Sequence, residues 1–360
     1  MNVSAERVRQ QITALLANWG MDADLIAMTV DVMVETDLAG IDSHGISMLM
    51  TYDSFRAKGK LNLHAHPAIL RETPVTAVLD AKNGLGHPAG VIGMNLAIKK
   101  AVGNGIGMVS VVNSHHFGAA GYYAALAPKQ GMIGLVASTG RTVSVVPTRS
   151  AVPVFGTNPI AFAAPARRNR PFLLDMATST VAANKVKVFD LNKKPIPPGW
   201  VLDEHGTPVE DAAVAMDYIY NRDVGGLTPL GGTAEMASHK GYGLAMMIQI
   251  LAGTLSGASF SPIHARSAGI AGPDNIGHLF LAIDPKAFQA EGVFEDGLDT
   301  IIDYLHATPA ADPALPIMVA GEPEAKSREI RLRDGIPIPA TLATKIKAIC
   351  EQNGCAFLLE

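Results

Sequence analysis

The chain of 360 residues has little cysteine and no excess of basic charge. Its two cysteines, Cys350 and Cys355, lie close together near the C-terminus, with a spacing that suits neither a disulfide framework nor a zinc knuckle. We therefore expect two reduced thiols. Lysine and arginine number 29 against 33 aspartate and glutamate residues, so the chain lacks the basic field that attracts nucleic acid or anionic lipid. No nucleic-acid partner is expected.

The sequence also lacks a long hydrophobic run. The longest, 244–255, includes Gln249 and Gly253 and falls short of the roughly 20 apolar residues that span a bilayer. The N-terminal segment 1–20 has the pattern of an amphipathic helix with charges spread through it, without the apolar centre of a signal peptide. We expect a cytoplasmic protein with no membrane partner.

The motifs of three common enzyme classes are absent from the sequence. It contains no HExxH, GxSxG or GxxxxGK[ST] pattern, and His64 and His66 in NLHAHP have no third ligand beside them in the sequence. Zinc hydrolases, serine hydrolases and P-loop enzymes are therefore disfavoured, and no metal is expected.

The chain does contain a change of periodicity from helix to strand. Apolar residues at helical spacing predict helices over 4–20 and 22–38, with Ser4 as an N-cap, and a further helix over 89–105. A helix between β-rich runs indicates an α/β sheet. The runs that predict strands are TAVLDA (76–81), GMVSVV (107–112), MIGLVAS (132–138), NPIAFAAPA (158–166) and PFLLDMA (171–177).

The second half of the chain alternates between loops and helices. Residues 190–235, rich in Pro, Gly and Asp, predict loops rather than core. A strongly apolar pattern over 239–257 predicts a buried helix, and small residues after it predict a loop to Pro273. A strand over 277–284 and helices from Pro285 onward complete the pattern. Helices at both ends of the chain imply that the terminal segments pack together.

A glycine loop between a predicted strand and helix is the first place to look for a nucleotide site. Gly84, Gly86 and Gly90 superficially match a dinucleotide fingerprint. A Rossmann unit would carry an acidic residue at the end of the next strand to hold the ribose, but GMVSVVN ends on Asn113. A tight turn at a helix start is the better interpretation.

Two adjacent histidines follow that strand in NSHHFGAAGYY (113–123). Successive strand side chains point to opposite faces, so His115 and His116 are not expected to chelate a metal together. One of them can act as a general acid or base near neutral pH, and the small residues 118–121 leave room for a ligand beside the backbone. A structural histidine at a strand end explains the pattern equally well.

A second polar cluster precedes a helical stretch that contains Tyr52. Asp42, Ser43 and His44 stand before Gly45, where an Asp or Ser side chain commonly caps a helix. The free N–H groups of a helix N-terminus also favour an anion, such as the carboxylate of a ligand. Both interpretations stay open at this point.

Two single residues complete the candidates. Asp175 ends an apolar run, either as a turn former or as a buried carboxylate that holds a histidine in one tautomer. Lys240 opens the predicted helix 239–257, where a cation opposes the helix dipole. A residue that breaks a local rule at the mouth of a helix is a candidate site residue.

Six groups of residues follow one another in a fixed order: DSHG (42–45), NSHHFGAAGYY (113–123), GTNP (156–159), LDMATS (174–179), HKGYGL (239–244), and GEPE (321–324) with LRDGIPIP (332–339). This series resembles the malate/L-lactate dehydrogenase family of NAD(P)-dependent 2-oxo acid and cyclic imino acid reductases, with ureidoglycolate, sulfolactate and diketogulonate dehydrogenases among its members. The likeness extends from the first helix to about Pro339.

The resemblance implies an α/β fold with a non-Rossmann, mixed-sheet nicotinamide-binding domain, a helical domain built from the N- and C-terminal segments, and a homodimer. We expect 1–72 and 226–272 in the helical domain, 73–225 and 273–310 in the cofactor domain, and 311–360 as a C-terminal part packed on the helical domain.

The resemblance also implies roles for individual residues. His116 is the acid/base residue, which protonates the carbonyl oxygen as hydride arrives and removes the hydroxyl proton in the reverse direction. Asp175, Ser43 and His44 are implied as further catalytic residues. The positions implied to contact NAD or NADP are His44, Gly140, Thr157, Asp175, Met176, Ala177, Lys240, Asn275 and Gly277 with the residue between them.

One position departs from the family. Many relatives have an arginine three residues after the glycine of SHG, where paired hydrogen bonds clamp the substrate carboxylate, and this chain has Met48. Arg141, Arg149 or another cation then supplies the carboxylate contact, or the substrate presents a more apolar group there. Tyr52, Met48 and Arg141 are the expected substrate-binding residues.

The expected function is reversible hydride transfer between NAD or NADP and a small 2-oxo or 2-hydroxy acid. Reduction of a cyclic imino acid is the enzymatic alternative. A catalytically silent metabolite-binding protein that kept the fold is the alternative from another class.

Overall fold

The structure is a computed structural model that describes residues 1–261 and 274–360. Its helices are α1 (Ala5–Asn18), α2 (Ala23–Leu38), α3 (Leu49–Ala57), α4 (Gly86–Ala101), α5 (Ala120–Ala124), α6 (Ala183–Leu191), α7 (Ala212–Tyr220), α8 (His239–Ile248), α9 (Val293–Ala307), α10 (Glu322–Asp334) and α11 (Ala340–Asn353). Its strands are β1 (Asn2–Val3), β2 (Ala68–Glu72), β3 (Thr76–Asp80), β4 (Ile106–Ser114), β5 (Ile133–Ser138), β6 (Ile160–Ala164), β7 (Phe172–Met176), β8 (Val201–Leu202), β9 (Gly226–Leu227), β10 (Ile276–Ile283) and β11 (Ile336–Pro337).

A mixed sheet of seven strands is the largest sheet in the described part of the chain. Its order is β2-β3-β4-β10-β5-β6-β7. Strand β2 runs antiparallel to β3 and β3 runs parallel to β4, so the predicted mixed α/β class is confirmed. The β-rich runs of the sequence predict every strand of this sheet except β2. That edge strand exposes Ile69 and Leu70 to solvent and has no buried alternating face to mark it.

Local sequence explains how the N-terminal helices begin. The Ser4 side chain accepts a hydrogen bond from the N–H of Arg7 at 3.3 Å, so the predicted N-cap of α1 is confirmed. Val8, Ile12 and Leu15 then recur at helical spacing and are fully buried. The face of α1 that the sequence marks as apolar is therefore the face that packs in the core.

The chain divides into two compact units. The first comprises Met1–Val136, Ala161–Asp175 and Phe280–Glu360. Within it, α1, α2, α3 and α11 share one hydrophobic core, and β1 pairs with β11 through Val3 and Ile336. The two ends of the chain therefore pack together in this unit. Its bounds differ from the five expected segments, whose assignment to domains stays a prediction.

A second core of this unit lies between the sheet and α4. Val109 and Val111 of β4 are fully buried there, together with Met94 of α4. The ring of Tyr123 meets that of Phe280 edge to face, with centroids 5.9 Å apart. This core fixes the end of β4, after which the histidine pair follows.

The second unit comprises Ala137–Ile160 and Met176–Leu279. The prediction that 190–235 forms loops rather than core is wrong, because α7, β8 and β9 lie there and supply buried residues such as Val201, Ala215 and Leu227. The Asp211 side chain caps α7 by accepting the N–H of Val214 at 2.9 Å. This helix has only nine residues and lies between segments rich in Pro and Gly, so its apolar residues repeat too few times to predict a helix.

The predicted helix over 239–257 forms as α8, which continues as a π-helical turn at Gln249–Thr254. It is buried on one face only: Ala245, Ile248 and Ala252 are buried, whereas Met246 and Ile250 are about half exposed, at 49% and 48%. The prediction of a buried helix is therefore wrong for its outer face. The loop expected to run to Pro273 and the segment boundary at 272 lie outside the described residues.

Candidate active site

The adjacent histidines separate directly after β4. His115 is fully buried, with its Nε2 2.9 Å from the backbone oxygen of Lys60 and its ring beside that of Phe55. His116 is partly exposed and faces a different set of groups, among them Tyr52. The two imidazoles therefore have separate partners, and only that of His116 combines exposure to solvent with polar neighbours that can hold a proton.

His116 is held through its Nδ1 atom. The hydroxyl oxygen of Tyr52, on α3, lies 2.8 Å from that nitrogen, and the N–H of Gly118 lies 3.4 Å from it. Tyr52 is itself fully buried, and its hydroxyl oxygen lies 3.4 Å from Nε2 of His87 at the start of α4. Tyr52 and Gly118 therefore both contact the Nδ1 side of the His116 ring.

His44 lies beside His116. The centroids of the two rings are 5.3 Å apart and their planes are inclined by 32°. Ser43 Oγ lies 2.6 Å from Nδ1 of His44, and burial lowers the pKa of the His44 imidazole. Ser43, His44, Tyr52 and His116 therefore lie close together, and burial favours the neutral ring of His44.

The N-cap interpretation of the DSHG segment is wrong. The turn at Ile46–Met48 begins after Gly45 with no side-chain cap, and Asp42 instead forms an ion pair with Arg331. The N–H of Ile46 is bonded by Asp37 of α2, whose Oδ2 accepts it at 2.8 Å. A Cβ atom at Gly45 would overlap this carboxyl group, so only glycine fits the approach without a shift.

Sequence reasoning missed Asp37. It is buried, with 2% of its surface exposed, although it is acidic, because it follows Met33 and Val34 at helical spacing on the buried face of α2. That contrast is the signal that could have found it. Its position under the turn makes it a support for Ser43 and His44.

Asp37 should make the stability of the protein depend on pH. Burial raises the pKa of its carboxyl group to about 8, whereas an unfolded aspartate titrates at about 4. Between these values the folded state keeps a proton that the unfolded state releases, so this contribution to stability is complete below about pH 4 and falls as pH rises towards 8. Asp37→Asn keeps an acceptor for Ile46 and removes the titration.

We expect Asp37→Asn to gain unfolding free energy relative to the wild type as pH rises from 5 to 8, by at most about 1.4 kcal/mol per pH unit. Urea unfolding at several pH values measures it. Asp223→Asn, a change at an exposed aspartate, is the matched control and should run parallel to the wild type. A constant difference between Asp37→Asn and the wild type over this range would contradict the burial argument.

Asp175 lies in β7 and is partly exposed. Its Oδ2 accepts the N–H of Gly121 at 2.7 Å. Burial, opposed by the hydrogen bond from Gly121 and aided by the charge of Glu324, raises the pKa of the Asp175 carboxyl group to about 6. Asp175 is thus neither the turn former nor shown as the partner of a histidine, and a carboxyl group that titrates near neutral pH can hold or release a proton.

The second unit contains most of the expected cofactor residues. The Gly140 N–H donates to Oδ1 of Asn158 at 2.8 Å, and Nδ2 of Asn158 donates to the Ala245 oxygen at 3.0 Å. Gly140 also packs so closely against Gly156 that a Cβ atom would lie 2.8 Å from its Cα. Asn158 is fully buried and sequence reasoning gave it no role, although it belongs to the GTNP motif.

The other expected cofactor residues are placed as follows. Thr157 is partly exposed, and its backbone oxygen accepts from the N–H of Thr178 at 2.9 Å. The Gly277 N–H donates to Thr139 Oγ1 at 3.1 Å. Lys240 is exposed in the first turn of α8. Asn275 Nδ2 donates to Ser259 Oγ at 2.8 Å, and Met176 and Ala177 are partly exposed.

The expected substrate residues differ in their surroundings. Met48 is partly exposed and packs against the core that α1, α2, α3 and α11 share. Arg141, with 42% of its side chain exposed, lies 3.7 Å from a carboxylate oxygen of Asp274. Arg149 has a positive φ of 69° in the loop before β6.

Residues 1–261 and 274–360 contain neither a metal-binding cluster nor a membrane-spanning helix. No group of three or more His, Cys, Asp or Glu side chains in these ranges is arranged to hold a metal ion. His64 and His66 instead share the carboxylate of Asp22, at 2.8 and 2.9 Å, a partner that is distant in sequence. In the same ranges, no helix has the length and apolar character needed to cross a bilayer.

Known proteins resemble this chain over nearly its whole length. The malate dehydrogenase of Pyrococcus horikoshii is 36% identical over 355 residues, which cover 98% of this chain and 96% of that protein. The Δ(1)-pyrroline-2-carboxylate reductase of Ancylobacter novellus is 33% identical over 308 residues, 85% of each chain. The crystal structure of malate dehydrogenase from Entamoeba histolytica superposes with a TM-score of 0.93 at 33% identity and covers 98% of both chains.

These relatives are dehydrogenases and a reductase, and they match this chain over most of its length, so the protein is an oxidoreductase. Residues 3–347 match the sequence profile of the malate/L-lactate dehydrogenase family. The chain belongs to this family, as the order of its six motifs predicts.

Proposed function

We propose that the protein transfers hydride reversibly between NAD(P)H and a small 2-oxo or 2-hydroxy acid, with His116 as the acid/base residue. The observation that carries this proposal is the partly exposed imidazole whose Nδ1 is held 2.8 Å from the buried hydroxyl of Tyr52. In reduction, His116 Nε2 donates a proton to the carbonyl oxygen of the substrate. In oxidation, the same nitrogen accepts the proton of the substrate hydroxyl.

Three further residues have proposed catalytic roles. The short contact of Ser43 Oγ with His44 Nδ1 fixes the His44 ring beside His116, where it limits the positions open to the substrate. Asp175, with a pKa of about 6, is proposed to exchange a proton near neutral pH. Neither role needs a metal ligand.

We propose NAD or NADP as the cofactor, and the residues of the second unit fit such a dinucleotide. The side chain of the buried Asn158 accepts the N–H of Gly140 and so fixes the backbone there. The neighbouring Thr157 is partly exposed. The exposed Lys240 lies in the first turn of a ten-residue helix, where its positive charge is unfavourable beside the positive end of the helix dipole. An anion such as a phosphate would neutralise the charge of Lys240 and that of the dipole. When bound, the cofactor supplies or accepts the hydride. Further proposed cofactor contacts are His44, Asp175, Met176, Ala177, Asn275 and Gly277.

The substrate group near Met48 is the open point of the proposal. A thioether cannot replace the paired hydrogen bonds of an arginine. We propose Arg141 as a candidate for the carboxylate contact, because its side chain is 42% exposed and already lies near a carboxylate, that of Asp274. Met48 is the other candidate for substrate contact, whereas Tyr52, expected there by resemblance, is fully buried.

Reduction of a cyclic imino acid is the second candidate function. The pyrroline-carboxylate reductase among the relatives favours it, and the proton chemistry is the same at a nitrogen atom as at a carbonyl oxygen. Met48 suits the apolar ring of such a substrate. The homodimer and the cytoplasmic location expected from the sequence stay part of the proposal.

A panel assay tests the function. The pure protein is mixed with NADH or NADPH and with pyruvate, oxaloacetate, other 2-oxo acids and Δ(1)-pyrroline-2-carboxylate, and absorbance at the nicotinamide band is followed. We expect oxidation of one cofactor by at least one 2-oxo acid. Turnover of the imine alone would support the second candidate. Cofactor binding without oxidation by any member would contradict both and favour a silent binding protein.

A further inference from the structure

The candidate proton donor is connected to a polar chain that solvent does not reach. Tyr52 and His87 each have 0% of their surface exposed. The Tyr52 hydroxyl oxygen lies 2.8 Å from His116 Nδ1 and 3.4 Å from His87 Nε2. The ring of Tyr52 meets that of His87 edge to face, with an interplanar angle of 83°. Three groups on different elements thus form a line from the core to the partly exposed His116.

We propose that Tyr52 is a positioning residue, whose hydroxyl holds His116 Nδ1 in both protonation states of that ring, and that His87 orients this hydroxyl. The inference rests on the proposed acid/base role of His116. It gives Tyr52 a role different from the substrate contact expected by resemblance, because a side chain with no exposed surface has no face to offer a substrate.

The hydroxyl group suits this role because it both donates and accepts. When His116 is doubly protonated, Nδ1–H donates to the Tyr52 oxygen, and the Tyr52 O–H donates to His87 Nε2. Loss of the Nε2 proton to the substrate leaves the neutral ring with its hydrogen on Nδ1, still held by Tyr52. Should Nδ1 lose its hydrogen, the hydroxyl rotates and donates to it instead. The Gly118 N–H at 3.4 Å supports only this last arrangement, because an amide donates and does not accept.

The surroundings keep this hydroxyl neutral. Burial raises the pKa of Tyr52 far above its ordinary value, so the group stays a hydroxyl at any pH used for an assay. Among the described residues, the titratable groups next to the pair include His44 beside the His116 ring, His87 behind Tyr52, and Tyr123, whose own pKa is raised by burial and by Tyr52. Tyr52→Phe leaves His44 and Tyr123 in place, and at His87 it removes the hydrogen bond with the Tyr52 hydroxyl.

The proposal predicts the direction of a titration shift. A hydrogen bond from a charged imidazolium is stronger than one from a neutral ring, so Tyr52 favours the protonated form of His116. Tyr52→Phe removes the acceptor and should lower the pH at which His116 loses its proton by about one unit. A tyrosine that only fills space would leave this titration where it is.

The experiment is a pH titration of protein labelled with 15N in histidine, followed by long-range 15N–1H spectra. The His116 signal is assigned by its loss in His116→Gln. Tyr123→Phe is the matched control, since it also deletes a buried tyrosine hydroxyl, one that donates to the backbone oxygen of Phe117 instead of to an imidazole. The expected result is a downward shift in Tyr52→Phe and no shift in Tyr123→Phe. An unshifted midpoint in Tyr52→Phe overturns the proposal.

The titration needs no substrate. The positioning role of Tyr52 can therefore fail its test while the proposed function holds, and the proposed function can fail its own test while the positioning role holds. If Tyr52→Phe proves unfolded by circular dichroism, His87→Leu is measured in its place. The proposal is supported if the His116 midpoint falls in His87→Leu by less than in Tyr52→Phe. In His87→Gln the midpoint should return towards the wild-type value, because an amide can again bond the Tyr52 hydroxyl. An unchanged midpoint in a folded His87→Leu overturns it.

Discussion

His116→Ala is expected to lose about 10²-fold or more of turnover while it still binds NADH or NADPH. The variant removes the only ring nitrogen that this account assigns to proton transfer, and water must then protonate a developing alkoxide without being positioned. Cofactor binding should be retained, because His116 is not among the residues proposed to contact the cofactor. Steady-state kinetics with the best substrate of the panel, and quenching of protein fluorescence by the cofactor, measure the two quantities.

His205→Ala is the matched control for this variant, because His205 is exposed on the surface and has no role in the proposed chemistry. It should retain the turnover of the wild type. Near-normal turnover in His116→Ala with every accepted substrate would remove His116 from the mechanism. Equal losses in both variants would point to a general effect of histidine removal on folding.

Gly45→Ala is expected to have the largest effect on stability among single methyl additions near the site. The φ of Gly45, −92°, lies outside the left-handed region, and the cost expected is the steric overlap of the added methyl group. The added methyl group would overlap the buried Asp37 carboxyl group, which must then move and release the Ile46 N–H, or the turn that presents Ser43 and His44 must shift. We expect a loss of about 2–4 kcal/mol in unfolding free energy.

The same variant should lose at least about tenfold in kcat/KM, because a shift of an ångström at His44 disturbs the ring beside His116. Urea unfolding and kinetics measure the two losses. Gly297→Ala in α9 is the control, since a methyl group there meets no atom within 4 Å and should be neutral or stabilising. The double variant Gly45→Ala, Asp37→Ala should recover part of the stability, because the overlap is gone. Full additivity of the two losses would contradict the steric explanation.

The strand and helix pattern of this chain could be predicted largely from periodicity. Ser4, the helices of the first 38 residues and six strands of the large sheet follow from local signals that tertiary packing does not reverse. Helix α7 could not be found in this way, because nine residues between turn-rich segments give too few periods. The outer face of α8 was mistaken for core because an apolar composition does not say what covers a helix.

The candidate site could be predicted by residue type but not by arrangement. His116, His44 and Ser43 carry motif signals, and the structure brings them together with Tyr52. The sequence could not show that Tyr52 is buried behind His116, since that contact joins residues 64 positions apart. Asp37 lies on the apolar face of α2, but the sequence could not show its partner, because the Ile46 N–H is a backbone group in the following turn.

The central claim is that the protein passes a hydride to a substrate carbon while His116 supplies the proton. The most direct measurement uses NADH or NADPH with both C4 hydrogens replaced by deuterium, together with the accepted 2-oxo acid, and mass spectrometry of the product. The predicted result is one deuterium on C2 of the 2-hydroxy acid made by the wild type, and product near background from His116→Ala. A product without deuterium, or equal labelled product from both proteins, would contradict the account.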